Sequence, residues 1–364
     1  MTTTIIPLGE LVNIQTGKLD ANASSATGAY PFFTCAREPL QIAEWKYDLD
    51  AILIAGNGDL NVKHYKGKFD AYQRTYILDV RDTDVLDSRF LFHFMDKYVE
   101  RLREQSIGGI IKYIKLGMLT DAQIPLPPLK EQKRIAGILD QADALRRLRT
   151  RALEKLNTLG QAIFHEMFEC NETPFPPATL GEVCDVRDGT HDSPTYVEDG
   201  YPLMTSKNFS SGTLSFEGAR MISEDDYEKI NRRSKVDLGD IVMPMIGTIG
   251  SPVIIREEPR FAIKNLALIK FSPSSPRASF IHALLSGPYL EHIVKTQGRG
   301  GTQKFVSLGD LRKLSFPLPP VKLQEKFELR TKAIKSQELS LASLVIKAND
   351  LFASLQHRAF RGEL

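Results

Sequence analysis

Residues 124–168 read IPLPPLKEQKRIAGILDQADALRRLRTRALEKLNTLGQAIFHEMF, and residues 316–360 read FPLPPVKLQEKFELRTKAIKSQELSLASLVIKANDLFASLQHRAF. The second stretch repeats the first at a constant offset of 192 residues: Pro125 falls on Pro317, Pro128 on Pro320, Gln132 on Gln324, His165 on His357 and Phe168 on Phe360. The chain is therefore a tandem duplication. Each copy opens with a Pro-x-Pro-Pro step, whose fixed φ angles and missing N–H groups hold the backbone extended and then release it into a helix. Steps of three and four follow. The first seam runs Ile135, Ile138, Ala142, Leu145, Arg149, Ala152, Leu156, Leu159, Ile163, and the second Phe327, Arg330, Ile334, Gln337, Leu341, Leu344, Ala348, Leu351, Leu355. That spacing predicts two long helices of coiled-coil type that pair with each other, each about 60 Å long at about 1.5 Å per residue. Gly137 and Gly160 each cost the first helix only about 1 kcal/mol relative to alanine, too little to end it.

At 364 residues and 42% hydrophobic content the chain holds two or three domains with real cores. No run approaches 18 apolar residues, and the N-terminal MTTTIIPLGE lacks the basic and apolar regions of a signal peptide, so a cytoplasmic protein without membrane contact is expected. Cys35, Cys170 and Cys184 show no C-x-x-C spacing, which favours reduced thiols over disulfides or zinc. The net charge of +2 is divided evenly between the two copies. A nucleic-acid partner would therefore have to be met by locally concentrated basic groups, not by a basic chain.

The domains hang on these helices in the order domain (1–123), Pro-rich approach and helix (124–170), domain (171–315), Pro-rich approach and helix (316–364). In the first domain AILIA at Ala51 reads as a buried strand that runs into a tight turn at Gly56-Asn57-Gly58. NVKHYKGKF then carries a basic cluster ahead of a strand from Thr75 to Val80, and a helix is expected after the N-cap Asp87, with Phe90, Phe94, Tyr98 and Leu102 on one face. The second domain repeats the plan. LGELVNIQTG at Leu8 returns as LGEVCDVRDG at Leu180, the buried strand as GDIVMPMIGTIGSPVII, the next strand as AIKNLALIKF, and GGIIKYIKLGML at Gly108 as GGTQKFVSLGDL at Gly300. The framework matches while the intervening loops differ.

Gly-Gly-x-x-Lys-aromatic-x-x-Leu-Gly-x-Leu, then apolar-Pro-Leu-Pro-Pro and a long helix, occurs twice around two diverged domains. In this it resembles the specificity subunit of type I restriction-modification systems, over nearly the whole chain. The Glu-Gln that follows the prolines in that family is intact at Glu131-Gln132 and becomes Leu323-Gln324 in the second copy. The resemblance implies a mixed α/β (α+β) fold, in which two tandem target recognition domains are separated by two long antiparallel coiled-coil helices with a pseudo-two-fold internal repeat. It implies recognition of a bipartite, asymmetric sequence in double-stranded DNA. It also implies methyltransferase (modification) and restriction subunits as partners, and the 192-residue repeat leads to the expectation that the helices dock the methyltransferase subunits one per half, two per chain. A helix lengthened by one turn, about 5.4 Å, is then expected to change the spacer between half-sites and to leave both half-sites alone.

No phosphate loop, complete dinucleotide fingerprint or Asn-Pro-Pro-aromatic methyltransferase motif occurs in the sequence, and the seven histidines lack metal-ligand spacing. The expectation is a non-catalytic subunit with no cofactor and no metal, with methylation and cleavage left to its partners. Position and chemistry select two sets for DNA contact. The first is Lys63, His64, Lys66, Lys68, Gln73, Arg74, Lys112 and Tyr113; the second is Arg187, His191, Lys207, Asn208, Lys264, Asn265, Arg299, Gln303 and Lys304. Arginine and lysine pair with guanine, asparagine and glutamine with adenine, and the remaining cations with phosphates. For any one of these the competing reading is a solvated or strand-end residue. The run Arg146, Arg147, Arg149, Arg151 reads as a solvated helix face, a partner surface or a phosphate contact, in that order. A coiled-coil adaptor with duplicated protein-binding domains would explain the helices but not the paired Gly-Gly-x-x-Lys steps. A stand-alone DNA-modifying enzyme would need the missing motifs.

Overall fold

A computed structural model describes residues 4–170, 175–210, 212–245, 252–287, 290 and 306–364. In chain order the first part holds β1 (Thr4–Pro7), a one-turn helix α1 (Leu8–Leu11), β2 (Val12–Thr16), β3 (Tyr30–Phe33), β4 (Leu40–Ile42), β5 (Tyr47–Ala55), β6 (Val62–Ala71), β7 (Thr75–Val80), α2 (Ser88–Gln105), α3 (Leu116–Thr120), β8 (Gln123–Leu126) and the long helix α4 (Leu129–Phe164). The second part repeats it with β9 (Pro177–Thr179), α5 (Leu180–Val183), β10 (Asp185–Asp188), β11 (Tyr196–Val197), β12 (Tyr201–Met204), β13 (Phe209–Ser210), β14 (Thr213–Leu214), β15 (Arg220–Ile222), α6 (Glu224–Ser234), β16 (Ile241–Pro244), β17 (Val253–Ile254), β18 (Ala262–Ile263), β19 (Leu266–Lys270), α7 (Ala278–Leu285), α8 (Leu308–Arg312), β20 (Ser315–Pro317) and the long helix α9 (Val321–Ala359). The fold is mixed α/β. Two compact units result: Met1–Arg151 with Ala342–Leu364, and Ala152–Leu341.

The first unit is built on one six-stranded sheet of order β2-β7-β5-β6-β3-β4. β5 alternates through its register with β6, Asp50 opposite Lys66 and Ile52 opposite His64, so successive side chains go to opposite faces. One face carries Phe33, Tyr47, Ala51, Leu53, Phe69 and Ile77. The other carries Ile52, Ile54 and Leu78 and is covered by α2 through Phe90, Leu91, Phe94 and Met95. Asp87 caps α2 by accepting from the Phe90 N–H at 2.9 Å, as its sequence position predicts. The stretch read as a basic approach to Thr75 is instead the ten-residue strand β6. Lysines do not exclude a strand here, because on one face of it Phe69 is buried in the core and Tyr65 is partly buried against it.

In the second unit the frame is split into sheets of order β10-β19-β16-β17 and β11-β15-β12-β18. The long strand β6 is replaced by two short ones, β17 and β18, separated by residues that include Pro259. Proline has no N–H for a ladder, so the strand cannot continue through it.

The long helices form where the spacing puts them, but they bury a different stripe. In the first unit α4 buries Gln132, Ile135, Ala136, Leu139 and Asp143, and the last turns of α9 bury Ala348, Phe352, Gln356 and Ala359. Leu145 and Leu351, both assigned to the seam, are 42% and 52% exposed. These turns face α2 as well as one another, which widens and rotates the apolar stripe away from a pure coiled-coil seam. Within this unit the two segments run antiparallel: Arg149 donates to the Leu344 carbonyl at 3.2 Å, Arg146 lies 4.4 Å over the Phe352 ring, and Arg134 donates to the Leu364 carbonyl at 2.8 Å. Arg146 and Arg147 both pair with Asp143. Of the arginine run, Arg146 and Arg149 thus reach across the helix pair, while Arg147 pairs along its own helix and stays exposed, as does Arg151.

A polar cluster around the buried His93 ties α2 to α4. Asp140 on α4 accepts from Arg89 and from His93 Nε2, the latter at 2.7 Å. Burial pushes the His93 imidazole below its usual range, more than Asp140 can raise it. For Asp140 burial pushes upward, but the bonds from Arg89 and His93 outweigh it and hold the carboxyl low. A neutral His93 that donates its Nε2–H to an ionised Asp140 satisfies both, and leaves His93 Nδ1 as a buried atom without a partner. In the second unit burial also lowers His282, whose Nε2 lies 3.0 Å from the Pro252 carbonyl. Below about pH 6.5 the unfolded chain takes up protons that the folded histidines refuse, so stability is lost as pH falls through that value; loss of the Asp140 contribution follows below about 3.8. The melting temperature of the first unit is expected to fall between pH 7.5 and 5.5 by calorimetry, and much less so in His93→Gln.

Candidate nucleic-acid interface

Two turns, one in each unit, are built alike. In the first unit β3 runs parallel to the end of β6, Phe33 opposite Ala71, and the Tyr72 N–H donates to the Phe33 carbonyl at 2.9 Å. Gln73 N–H then donates to Leu19 O at 2.8 Å, and Gly17 N–H to Thr75 O at 3.1 Å. In the second unit β12 runs parallel to β18, Met204 opposite Ile263, and Lys264 N–H donates to Met204 O at 2.9 Å. Asn265 N–H donates to Thr190 O at 3.1 Å, and Gly189 N–H to Leu266 O at 2.9 Å. Gln73 and Asn265 therefore occupy the same position on the same frame, again 192 residues apart. The glycine that ends each repeated Leu-Gly-Glu segment makes the approach possible: a Cβ on Gly17 would lie 2.0 Å from the Ala71 carbonyl oxygen, and one on Gly189 2.4 Å from that of Ile263.

Around the first turn the structure gathers part of the predicted set. Gly56 N–H donates to Arg74 O, Gly58 N–H to Lys112 O, and Asn57 bridges Tyr113, so Gln73, Arg74, Lys112 and Tyr113 crowd the Gly56-Asn57-Gly58 turn, all four exposed. Lys63 lies on the same side but is engaged inward, with Asn61 and with the Thr34 carbonyl at 3.5 Å. Burial pushes its ammonium down to about 8 against the opposing pull of Cys35. His64, Lys66 and Lys68 lie on the opposite face, because neighbours on a strand alternate. His64 bridges Asp50 at 2.6 Å and Arg89 at 3.1 Å, Lys66 approaches Asp50 at 3.9 Å, and Lys68 lies 4.5 Å over the Trp45 ring. The sequence reading missed Ile110, fully exposed, and Ile111, 63% exposed, beside Lys112. Two β-branched residues directly after Gly-Gly were the available signal.

Around the second turn His191, Lys264 and Asn265 come together. His191 Nδ1 lies 2.7 Å from Asn265 Oδ1 and its Nε2 2.7 Å from Asp188 Oδ2, while Lys264 Nζ is 3.4 Å from Ser193 Oγ. Beside them is a cavity of about 250 Å³ lined in part by His191, Ser193, Lys229 and Arg233. Arg187 is held by Asp185 and by the Arg233 carbonyl at 3.0 Å. Lys207 is exposed on the turn that leaves β12. Asn208 is a correction: it is 3% exposed, its Oδ1 accepts from Thr205 N–H at 2.9 Å, and its amide donates to the Ser215 carbonyl at 3.1 Å, so its polar edge is consumed in closing the loop. Arg299, Gln303 and Lys304 lie outside the described residues. Among the described residues no helix is long and apolar enough to cross a membrane.

Comparison with known proteins agrees with this duplicated geometry. The family model described as the type I restriction modification DNA specificity domain matches twice, over residues 2–158 and 175–327. The chain is 44% identical over 135 residues to the specificity subunit of the type I restriction enzyme EcoDI of Escherichia coli, a match that covers 37% of this chain and 30% of that protein. It is 24% identical over 357 residues to the EcoBI specificity subunit of the same species, covering 88% of this chain and 74% of that one. In fold it is similar to the S subunit of a type I restriction-modification system from M. genitalium, with a TM-score of 0.65, 16% identity, and coverage of 99% and 96% of the two chains. With two copies of the family domain spanning well over half its length, this chain belongs to the type I restriction-modification DNA specificity family.

Proposed function

We propose that the chain is the sequence-reading subunit of a type I restriction-modification complex, and that each unit reads one half of a bipartite, asymmetric site in double-stranded DNA. The observation that carries this reading is the pair of equivalent turns, which present an amide at the same position, Gln73 and Asn265, with cations beside it and different neighbouring loops. Amides and cations on a fixed frame are what base-edge and phosphate recognition needs, and different loops give different sequences. In the first unit we assign base or phosphate contact to Gln73, Arg74, Lys112 and Tyr113.

The long helices supply docking surface for methyltransferase subunits, two per chain, and for restriction subunits; those partners carry the chemistry. Supporting this, the helix segments of the first unit expose Leu145, Leu148, Leu344, Ile346 and Leu351, at 39% to 63%. Such a group of exposed apolar residues on a helix pair marks an interaction surface.

The test is long-read methylation mapping of DNA from cells that express this chain with a methyltransferase subunit encoded beside it. A split motif methylated in both halves, absent when this chain is deleted, is the expected result; a complex that purifies intact and leaves no motif would refute the reading. Replacing Arg74 or Lys112 by alanine is expected to weaken binding roughly fivefold to tenfold. Where the lost contact is to phosphate, the loss is uniform across sequences and reduces the salt slope by about one. Unchanged anisotropy titrations of both variants would remove these residues from the interface.

A further inference from the structure

We propose that Asn265 reads a base edge in the second half-site, and that His191 decides whether its amide offers that base a donor or an acceptor. The proposal rests on the DNA-reading role given above and adds to it a mechanism for one position. Asn265 has φ of 55°, and among the described residues no other non-glycine residue has a positive φ. Asparagine tolerates that conformation better than most residues, and a side chain held there on an exposed turn points to use beyond packing.

His191 has an oxygen against each ring nitrogen: Asn265 Oδ1 at Nδ1 and Asp188 Oδ2 at Nε2, both at 2.7 Å. Only an imidazolium can donate to both. Asp188 is anchored on its far side by Arg233. The bond to Asp188, then the bond to Asn265, raises the His191 pKa over the small opposing effect of burial, so the charged form persists above about pH 6.5. The other charged groups around the ring are Lys264 on the same turn, Asp192 next to it, and Asp226 and Lys229 across the cavity.

With His191 charged, Asn265 Oδ1 is occupied and its NH₂ group faces outward, complementary to acceptors such as guanine O6 and N7 or thymine O4. When His191 loses its Nδ1 proton, the ring keeps its Nε2–H and donates it to Asp188, and Nδ1 becomes a lone pair that repels Oδ1. The amide then turns over about its soft terminal torsion, donates its NH₂ to Nδ1 and presents Oδ1 outward. That edge matches the amino groups of adenine and cytosine. His191 is thus a positioning residue that acts through Asn265.

The experiment is selection by the full chain from a duplex library randomised over about 20 base pairs, at pH 6.5 and at pH 9, with enriched sequences counted at each. One position of one half-site is expected to move by roughly tenfold from acceptor-bearing to amino-bearing bases as pH rises, the scale of one donor–acceptor mismatch. Asn265→Asp, which carries two acceptors and tolerates the same backbone, should select amino-bearing bases at both pH values. His191→Gln should abolish the pH dependence at that position, whichever base it then selects there. Identical wild-type preferences at the two pH values, or a shift that survives in His191→Gln, would overturn the proposal and leave sequence recognition standing. Enrichment of no sequence at either pH would overturn both.

Discussion

Replacing Phe168 by alanine is expected to destabilise the second unit by about 3–5 kcal/mol, the range for removing a buried phenylalanine. Phe168 is 6% exposed, and its ring lies 5.0 Å from Phe164, 5.0 Å from Phe280 and 5.3 Å from Phe327. Truncation opens a void lined by three rings, and none of them can close it without leaving its own contacts. A unit with about 5–15 kcal/mol of total stability has little left after such a loss. Its repeat mate offers a control. Phe360 packs on Phe90 and Phe94 at 5.4 and 5.5 Å but is only half-buried, so Phe360→Ala should cost the first unit clearly less. Chemical denaturation followed by hydrogen exchange would resolve the units, and equal losses in the two variants would show that ring burial is not what distinguishes these sites.

The second large effect is expected at Gln132 and Gln324. Gln132 has no exposed surface. Its Oε1 accepts from Asp87 N–H at 2.9 Å, and its Nε2 donates to the Val85 and Pro127 carbonyls at 2.9 and 2.8 Å. It thereby fastens the start of α2 and the Pro-Pro step to α4. Gln324 repeats the latch, accepting from Arg277 N–H at 2.8 Å and donating to the Pro319 carbonyl at 2.8 Å. Removing either amide leaves backbone groups unsatisfied at about 1–3 kcal/mol each, discounted where water can reach them. We expect Gln132→Ala to cost about 2–4 kcal/mol and Gln324→Ala somewhat less. Gln132→Glu should also destabilise, because a carboxylate cannot donate to the two carbonyls. Melting temperatures within a degree of wild type would refute the latch.

The latch also shows how far the sequence can be read. The repeat identified Gln132 and Gln324 as matched positions, yet their partners, Asp87 and Arg277, lie 45 and 47 residues away, with no pattern that joins them. At the interface Lys63, His64, Lys66 and Lys68 look like one basic patch in the sequence. A strand of period two divides them between faces, and a cluster of like charge gives no clue to that division unless the run is first recognised as a strand. Asn208 carries the right chemistry for a base contact but is used to close a loop, and a single buried amide cannot be told from an exposed one by its type alone.

By itself the sequence determined the duplication, the two long helices, the cap at Asp87, the strand at Thr75 and the family, because each depends on local spacing, and local spacing is what backbone geometry and propensity read. Tertiary structure alone decided which stripe the helices bury, which face each lysine takes, and that His191 meets Asn265 across 74 residues of chain. Those outcomes depend on sheet register and on the packing of α2 and α4, which bring together groups that the linear order keeps apart.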